Sequence, residues 1–219
     1  MKKRIEHIIK YEGRVKSFVE GTFDNDRILE DWTKNQSKES IKFPLKDLLF
    51  GVKDIINVDG YPTRCGSLLP SELFKGSQAS CVSKLLNAGA IFAGKTVTAE
   101  FAVSDPGETR NPRNLFHTPG GSSSGSGASV AAGFCDIAIG TQTSGSVIRP
   151  AGYCGVVGYK PSFGRISRDG VLLFSNSMDH VGLCTRDLDV LEKVLPLLVD
   201  GWRFQKPKVN KNTSIGIPK

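Results

Sequence analysis

No run of about 18 apolar residues occurs anywhere in the 219-residue chain, which excludes a membrane-spanning helix on length alone. The start, Met1-Lys2-Lys3-Arg4, has the charge of a signal peptide but passes at once into Glu6, His7, Tyr11 and Glu12, so the apolar middle that secretion requires is missing. No CxxC pair is present among Cys65, Cys81, Cys135, Cys154 and Cys184, and an odd, scattered set fits neither a disulfide framework nor a zinc site. These absences together predict a soluble chain of the reducing cytoplasm. The net charge of +7 permits binding to a polyanion, yet the basic residues are dispersed and no aromatics alternate with them as a stacking platform. Nucleic acid is therefore not an expected partner. Histidine is scarce too: His7, His117 and His180 are the only three available to a serine triad.

The patterning reads as an α/β domain. Ile5, Ile8 and Ile9, then Val15, Phe18 and Val19, and after a polar break Ile28, Leu29 and Trp32, recur at helical spacing and predict surface helices over the first 40 residues. Leu48 to Val58 is apolar and β-branched and ends at Asp59-Gly60, which predicts a strand with Lys53 in or beside it. Ser77 is the expected cap of a helix that runs to about Ala88 and stops at Gly89, followed by a buried strand over Ala90 to Ala93. A small-residue helix over Ala128 to Ala132 and a strand over Cys135 to Gly140 come next. Asp187 opens a further helix, interrupted around Pro196, and Ile215-Gly216-Ile217 has the pattern of a strand beginning.

Four segments carry residues suited to chemistry. Gly120 to Gly127, GGSSSGSG, is a flexible linker by composition, but it follows the stiff pairs Asn111-Pro112 and Thr118-Pro119 and leads into a helix. It also fits G-x-S-x-G centred on Ser123, the nucleophile elbow, although Asn114 to Pro119 is a poor strand to precede an elbow. Gly89 to Thr96, GAIFAGKT, matches the phosphate-loop pattern letter for letter. Its context is wrong, because a helix precedes the first glycine and the middle residues read as a strand, so Lys95 is taken as an ordinary strand-end residue. Gly140 to Pro150, GTQTSGSVIRP, follows a strand directly, where α/β proteins place their sites, and reads either as a polar turn or as amides converging on a carbonyl oxygen.

Taken together, GVKD at 51 to 54, TPGGSSSGSGASVAAG at 118 to 133 and GTQTSGSVIRPAGYCGVVGYKPS at 140 to 162 resemble the amidase signature family. The likeness runs from about Pro44 to Leu191 and is far more specific than the phosphate-loop match. It implies a Lys-Ser-Ser relay that falls on Lys53, Ser122 and Ser146, with a cis peptide bond at Ser122. It further implies an oxyanion hole made by the amides of Thr143, Ser144, Gly145 and Ser146. Ser124, Ser126 and Ser144 stand where many members have glycine, and Gln142 where many have aspartate. Arg149 is expected to order its loop. The chemistry needs no histidine: Ser146 attacks an amide carbonyl while Ser122 passes its proton to Lys53. A lysine serves as a base near neutrality only when desolvated, which neighbours such as Val52, Ile55 and Ile56 favour, whereas a structural lysine paired to Asp54 is the plain alternative.

The resulting expectation is one amidase-signature-like α/β domain over 1–219, with a mixed sheet flanked by helices. It comprises a helical lead-in at 1–43, a signature core at 44–191 and a continuation at 192–219 that looks incomplete at its C-terminal end. The activity implied is hydrolysis of a small-molecule carboxamide to a carboxylate and ammonia or an amine, with no metal or organic cofactor. The alternative is an incomplete, non-catalytic amidase-like module. Self-association, or a partner chain that completes the fold, is expected.

Overall fold

The computed structural model describes residues 1–37, 42–103, 107–203 and Ser214. The strand beginning expected at Ile215 to Ile217 lies outside the described residues.

The centre is a five-stranded mixed sheet in the order β2-β1-β3-β5-β4, built from β1 (Leu49–Lys53), β2 (Ile91–Thr96), β3 (Ile137–Gln142), β4 (Val157–Tyr159) and β5 (His180–Thr185). β1 runs parallel to both β2 and β3, while β5 is antiparallel to β3 and β4. β1, β2 and β3 are buried at every position, as strands covered on both faces must be. Alternate residues still go to opposite sides. Phe50, Val52, Ile137 and Ile139 enter a core with Val82 and Leu85 of α3 (Ser80–Asn87) and Val194, Leu195 and Leu198 of α6 (Leu188–Leu198). Leu49, Ile91, Ala93 and Ala138 enter another with α1 (Lys2–Val15), α2 (Asn25–Gln36) and α4 (Ser124–Ala131). α6 carries the first core past position 191, and it continues through Pro196 to Leu198. All five cysteines are free and buried.

Several local expectations are corrected. The first helix stops at Val15, with Lys16 left-handed at φ 53°, so Phe18 and Val19 are not helical. Glu12 causes the reversal by accepting the Ser17 hydroxyl and the Phe18 amide. The chain then runs beside β2, where Val19 N donates to Lys95 O at 2.8 Å. The strand expected to Val58 ends at Lys53, whose carbonyl takes the amides of both Ile55 and Ile56 in a turn. Ser77 does not cap α3; the N-cap is Ala79, held instead by its amide bond to Asn57 O. The glycine-serine run is not a linker: its first half, through Ser123, is the turn that enters α4, and Ser124 to Gly127 form the start of that helix. A Cβ on Gly125 would come within 2.2 Å of Ser17 O, so glycine there permits a close backbone crossing. β4 and β5 escape sequence patterning because one has three residues and the other is interrupted by Gly182.

The phosphate-loop pattern also finds its explanation here. Gly94-Lys95-Thr96 are the last residues of β2, and Lys95 is no ordinary strand end. Its fully buried ammonium lies 3.0 Å from Asp54 Oδ1 and donates to Thr63 Oγ1 at 3.0 Å. Burial pushes the lysine pKa down and the Asp54 pKa up, and their mutual attraction offsets part of each shift. Removing one member would strand the other charge in the interior. Lys95→Met is therefore expected to destabilise the fold by about 3–5 kcal/mol, read as a lower urea midpoint at unchanged slope. A wild-type midpoint would mean that the pair contributes nothing.

Candidate active site

Parallel pairing of β1 with β2 and β3 brings their carboxyl ends to one edge, where chain ends and helix starts can converge. Lys53 is the last residue of β1 and is wholly buried, at 0% exposure. Its Nζ donates to Ser122 Oγ at 2.7 Å and to Thr141 Oγ1, on the neighbouring strand β3, at 2.9 Å. Asp54, the partner that a structural lysine would need, is turned to Lys95 instead. Burial lowers the Lys53 pKa from 10.5 to about 7, and the Asp179 carboxylate opposes that fall. An amine in this range can exchange a proton near neutrality.

Ser122 is joined to Gly121 by a cis peptide bond, and its carbonyl accepts the Ala99 amide at 3.0 Å. The next residue ties the two motif loops together. Ser123 N donates to Ser146 O at 3.1 Å, and the Ser123 hydroxyl donates to Thr141 O at 3.2 Å. Ser123 is fully buried against β3, which leaves it unsuited to the elbow's exposed nucleophile. A Cβ on Gly140 would lie 2.7 Å from Ser123 Oγ, so this packing also depends on a glycine. Ser146, at 8% exposure, is thus tied through its carbonyl to the residue that follows Ser122.

The loop from Thr143 to Ser146 follows β3 directly. Among the described residues, neither a main-chain nor a side-chain acceptor takes the amide hydrogen of Thr143, Ser144, Gly145 or Ser146. Gln142 frames the loop: its Oε1 accepts the amides of Val147 and Ile148 at 2.9 Å each, and its Nε2 donates to Ser144 O at 2.9 Å. Val147 and Ile148 begin α5 (Ile148–Cys154), whose first amides need such an acceptor. The exposed Arg149 side chain lies over Gly145 and beside Gly120, so it sits between the two glycine-rich loops.

The residues singled out in the sequence thus gather at one edge of the sheet. Ser124 and Ser126 lie deeper, with their hydroxyls donating to Val97 O and Ile139 O. Two contributors, Thr141 and Asp179, were not singled out in the sequence: Thr141 holds the lysine, and Asp179 accepts the Thr143 hydroxyl at 2.5 Å. Gln142, noted there for standing where many family members have aspartate, frames the loop. The only sequence signal for Asp179 is an acid placed just before a short strand. A cavity of about 620 Å³ lined by Lys16, Phe18, Asp54, Arg64, Val97 and Thr98 includes none of Lys53, Ser122 and Ser146. No group of His, Cys, Asp and Glu suited to a metal, and no helix long and apolar enough to cross a membrane, occurs among the described residues.

Comparison with known proteins gives a consistent result. The family model described as Amidase matches residues 2–215. The chain is 38% identical over 204 residues to the A subunit of the glutamyl-tRNA(Gln) amidotransferase of Salinibacter ruber, a match covering 89% of this chain and 39% of that protein. Among solved structures it resembles the native peptide amidase of Stenotrophomonas maltophilia, with a TM-score of 0.80 and 31% identity, over 90% of this chain and 43% of that one. The corresponding glutamyl-tRNA(Gln) amidotransferase structure from Thermotoga maritima gives a TM-score of 0.77 and 32% identity, over 90% and 42%. The chain therefore spans well under half the length of these three proteins.

Proposed function

Since the chain belongs to the amidase family, we propose that it hydrolyses a carboxamide C–N bond through Lys53, Ser122 and Ser146. The observation that carries this reading is the buried Lys53 amine in contact with Ser122 at 2.7 Å, its pKa lowered to about 7. Ser146 Oγ attacks the carbonyl carbon as its proton passes to Ser122, and the Ser122 proton passes to neutral Lys53, reversing the direction of their hydrogen bond. The carbonyl oxygen gains the negative charge and is met by amides of the 143–146 loop. The proton then returns through Ser122 to the leaving nitrogen, the C–N bond breaks, and an ester on Ser146 remains. Water activated by the same pair cleaves that ester to release the carboxylate.

We further infer that the site works with additional polypeptide, because Ile148, Phe174 and Met178 stand exposed around the loop. A second copy or a partner chain that covers them would exclude water from the reacting centre.

Treatment of the purified chain with a serine-directed fluorophosphonate, beside a panel of simple carboxamides and peptide amides, tests the proposal. One modified serine and release of ammonia or an amine are expected. A folded chain that neither takes the label nor hydrolyses any amide would favour the alternative, a binding module that keeps the motifs without the chemistry.

A further inference from the structure

Asp179 is only 4% exposed, and three donors converge on its carboxylate. Oδ1 accepts the Thr143 hydroxyl at 2.5 Å, while Oδ2 accepts the amides of Phe174 at 2.6 Å and Ser175 at 2.9 Å. It sits just before β5, whose His180 is paired with Gln142 of β3, so the backbone register holds it beside the start of the 143–146 loop. A carboxylate anchored twice to main chain is a rigid post. Thr143 is the loop's only side-chain attachment to it among the described residues, and the loop cannot rotate about its first residue without breaking that bond.

We infer that Asp179 is a positioning residue that fixes the 143–146 loop through Thr143 and, separately, sets its carboxylate charge on the Lys53 side of that loop. The inference rests on the amidase reading for the loop's role; the charge effect on Lys53 follows from Asp179 holding Thr143, two residues beyond the Thr141 that holds the amine. Thr141, two residues before Thr143, is the second acceptor for the Lys53 amine. The groups around this lysine are Ser122, Thr141, the Cys184 thiol of β5 and Asp179. Asp54, its neighbour in sequence, is engaged by Lys95. Around Asp179, the Arg168 guanidinium donates to the carbonyls of Asn176 and Asp179. His180 turns its Nδ1 to Met178 O. Asp179 is thus the carboxylate whose charge favours the protonated amine, as the opposing direction of its effect on the Lys53 pKa indicates.

Two near-isosteric substitutions separate the two effects. Asp179→Asn keeps the shape and removes the charge, whereas Thr143→Val keeps the charge and removes the anchoring hydroxyl. The Lys53 midpoint is read directly by titrating the ¹³Cε resonance in lysine-labelled protein, assigned by its absence from Lys53→Met, and needs no turnover. The loop is read by the rate of fluorophosphonate labelling. Asp179→Asn is expected to lower the Lys53 midpoint by about half a pH unit or more. Thr143→Val is expected to leave the midpoint in place while slowing labelling about tenfold or more, and Thr143→Ser to restore the rate, since a hydrogen bond to a charged acceptor is worth at least about that factor. A midpoint unmoved in Asp179→Asn, or Thr143→Val labelling at the wild-type rate, would overturn the inference. Because the titration reports the lysine whether or not any amide is hydrolysed, a failure of the charge effect is distinguishable from a failure of the amidase reading.

Discussion

Ser146→Ala is expected to abolish fluorophosphonate labelling and to lower amide turnover on the order of 10⁶-fold, the scale seen when a nucleophilic serine is deleted. The size follows from the absence of a substitute. Ser122 Oγ is engaged by Lys53 at 2.7 Å, and Ser123 Oγ is buried with its hydrogen committed to Thr141 O. Ser144 is exposed on the same loop with its carbonyl held by Gln142, so it is the nearest rival. Labelling that survives in Ser146→Ala and disappears in Ser123→Ala would instead restore the elbow. Labelling lost only with Ser144→Ala would move the nucleophile two positions along the loop.

Lys53→Met is expected to lower kcat by about 10²–10⁴-fold, the usual contribution of a general base, and to remove the acid limb of the pH–rate profile. That limb should lie near pH 7 in the unmodified chain, because Lys53 titrates at about 7 in the fold and only its neutral form accepts a proton. The sign for stability is the opposite of a stabilising ion pair. Between about 7 and the ordinary 10.5, the unfolded chain holds a proton on this lysine that the folded chain does not. Raising the pH through that window therefore increases the Lys53 contribution to stability, and below it the cost of burying the amine is fully present. Lys95→Met, by contrast, should act mainly on the denaturation midpoint, since Lys95 faces Asp54 and Thr63 rather than the serines. Equal losses of kcat from both substitutions, with both proteins folded, would mean that the wrong lysine has been assigned as base.

The sheet was legible where its strands are buried on both faces and apolar, as in β1, β2 and β3. It was illegible where pairing rather than patterning makes the strand, as in β4 and β5, which are drawn in by hydrogen bonds to each other and to β3. The motif loops could be read because their residue types are unusual together. Their supports could not: Thr141, Gln142 and Asp179 are ordinary polar residues whose work depends on which strand end lies next to which. The same holds for Lys95 and Asp54. They are 41 positions apart, and only the parallel pairing of β1 with β2 sets one against the other. Phe18 shows the reverse failure, a residue at good helical spacing that tertiary hydrogen bonding to Glu12 pulls out of the helix.

The five free thiols give the molecule a set of internal opening gauges. Burial pushes each pKa up to about 12, and because the thiolate is the species that alkylating reagents attack, the closed fold shields every one of them. Their reaction with such a reagent then reports how often each region comes apart: Cys81 speaks for α3, Cys135 for the approach to β3, Cys154 for the end of α5, Cys184 for β5, and Cys65 for the turn beside Asp54. A terminus that frays would leave all five silent, whereas separation of the sheet would sound several together, so the chain carries its own map of cooperative units. The same thiols also limit the alkaline range. Above about pH 9 the unfolded chain releases these protons while the folded chain keeps them, and stability falls as pH rises from there toward 12.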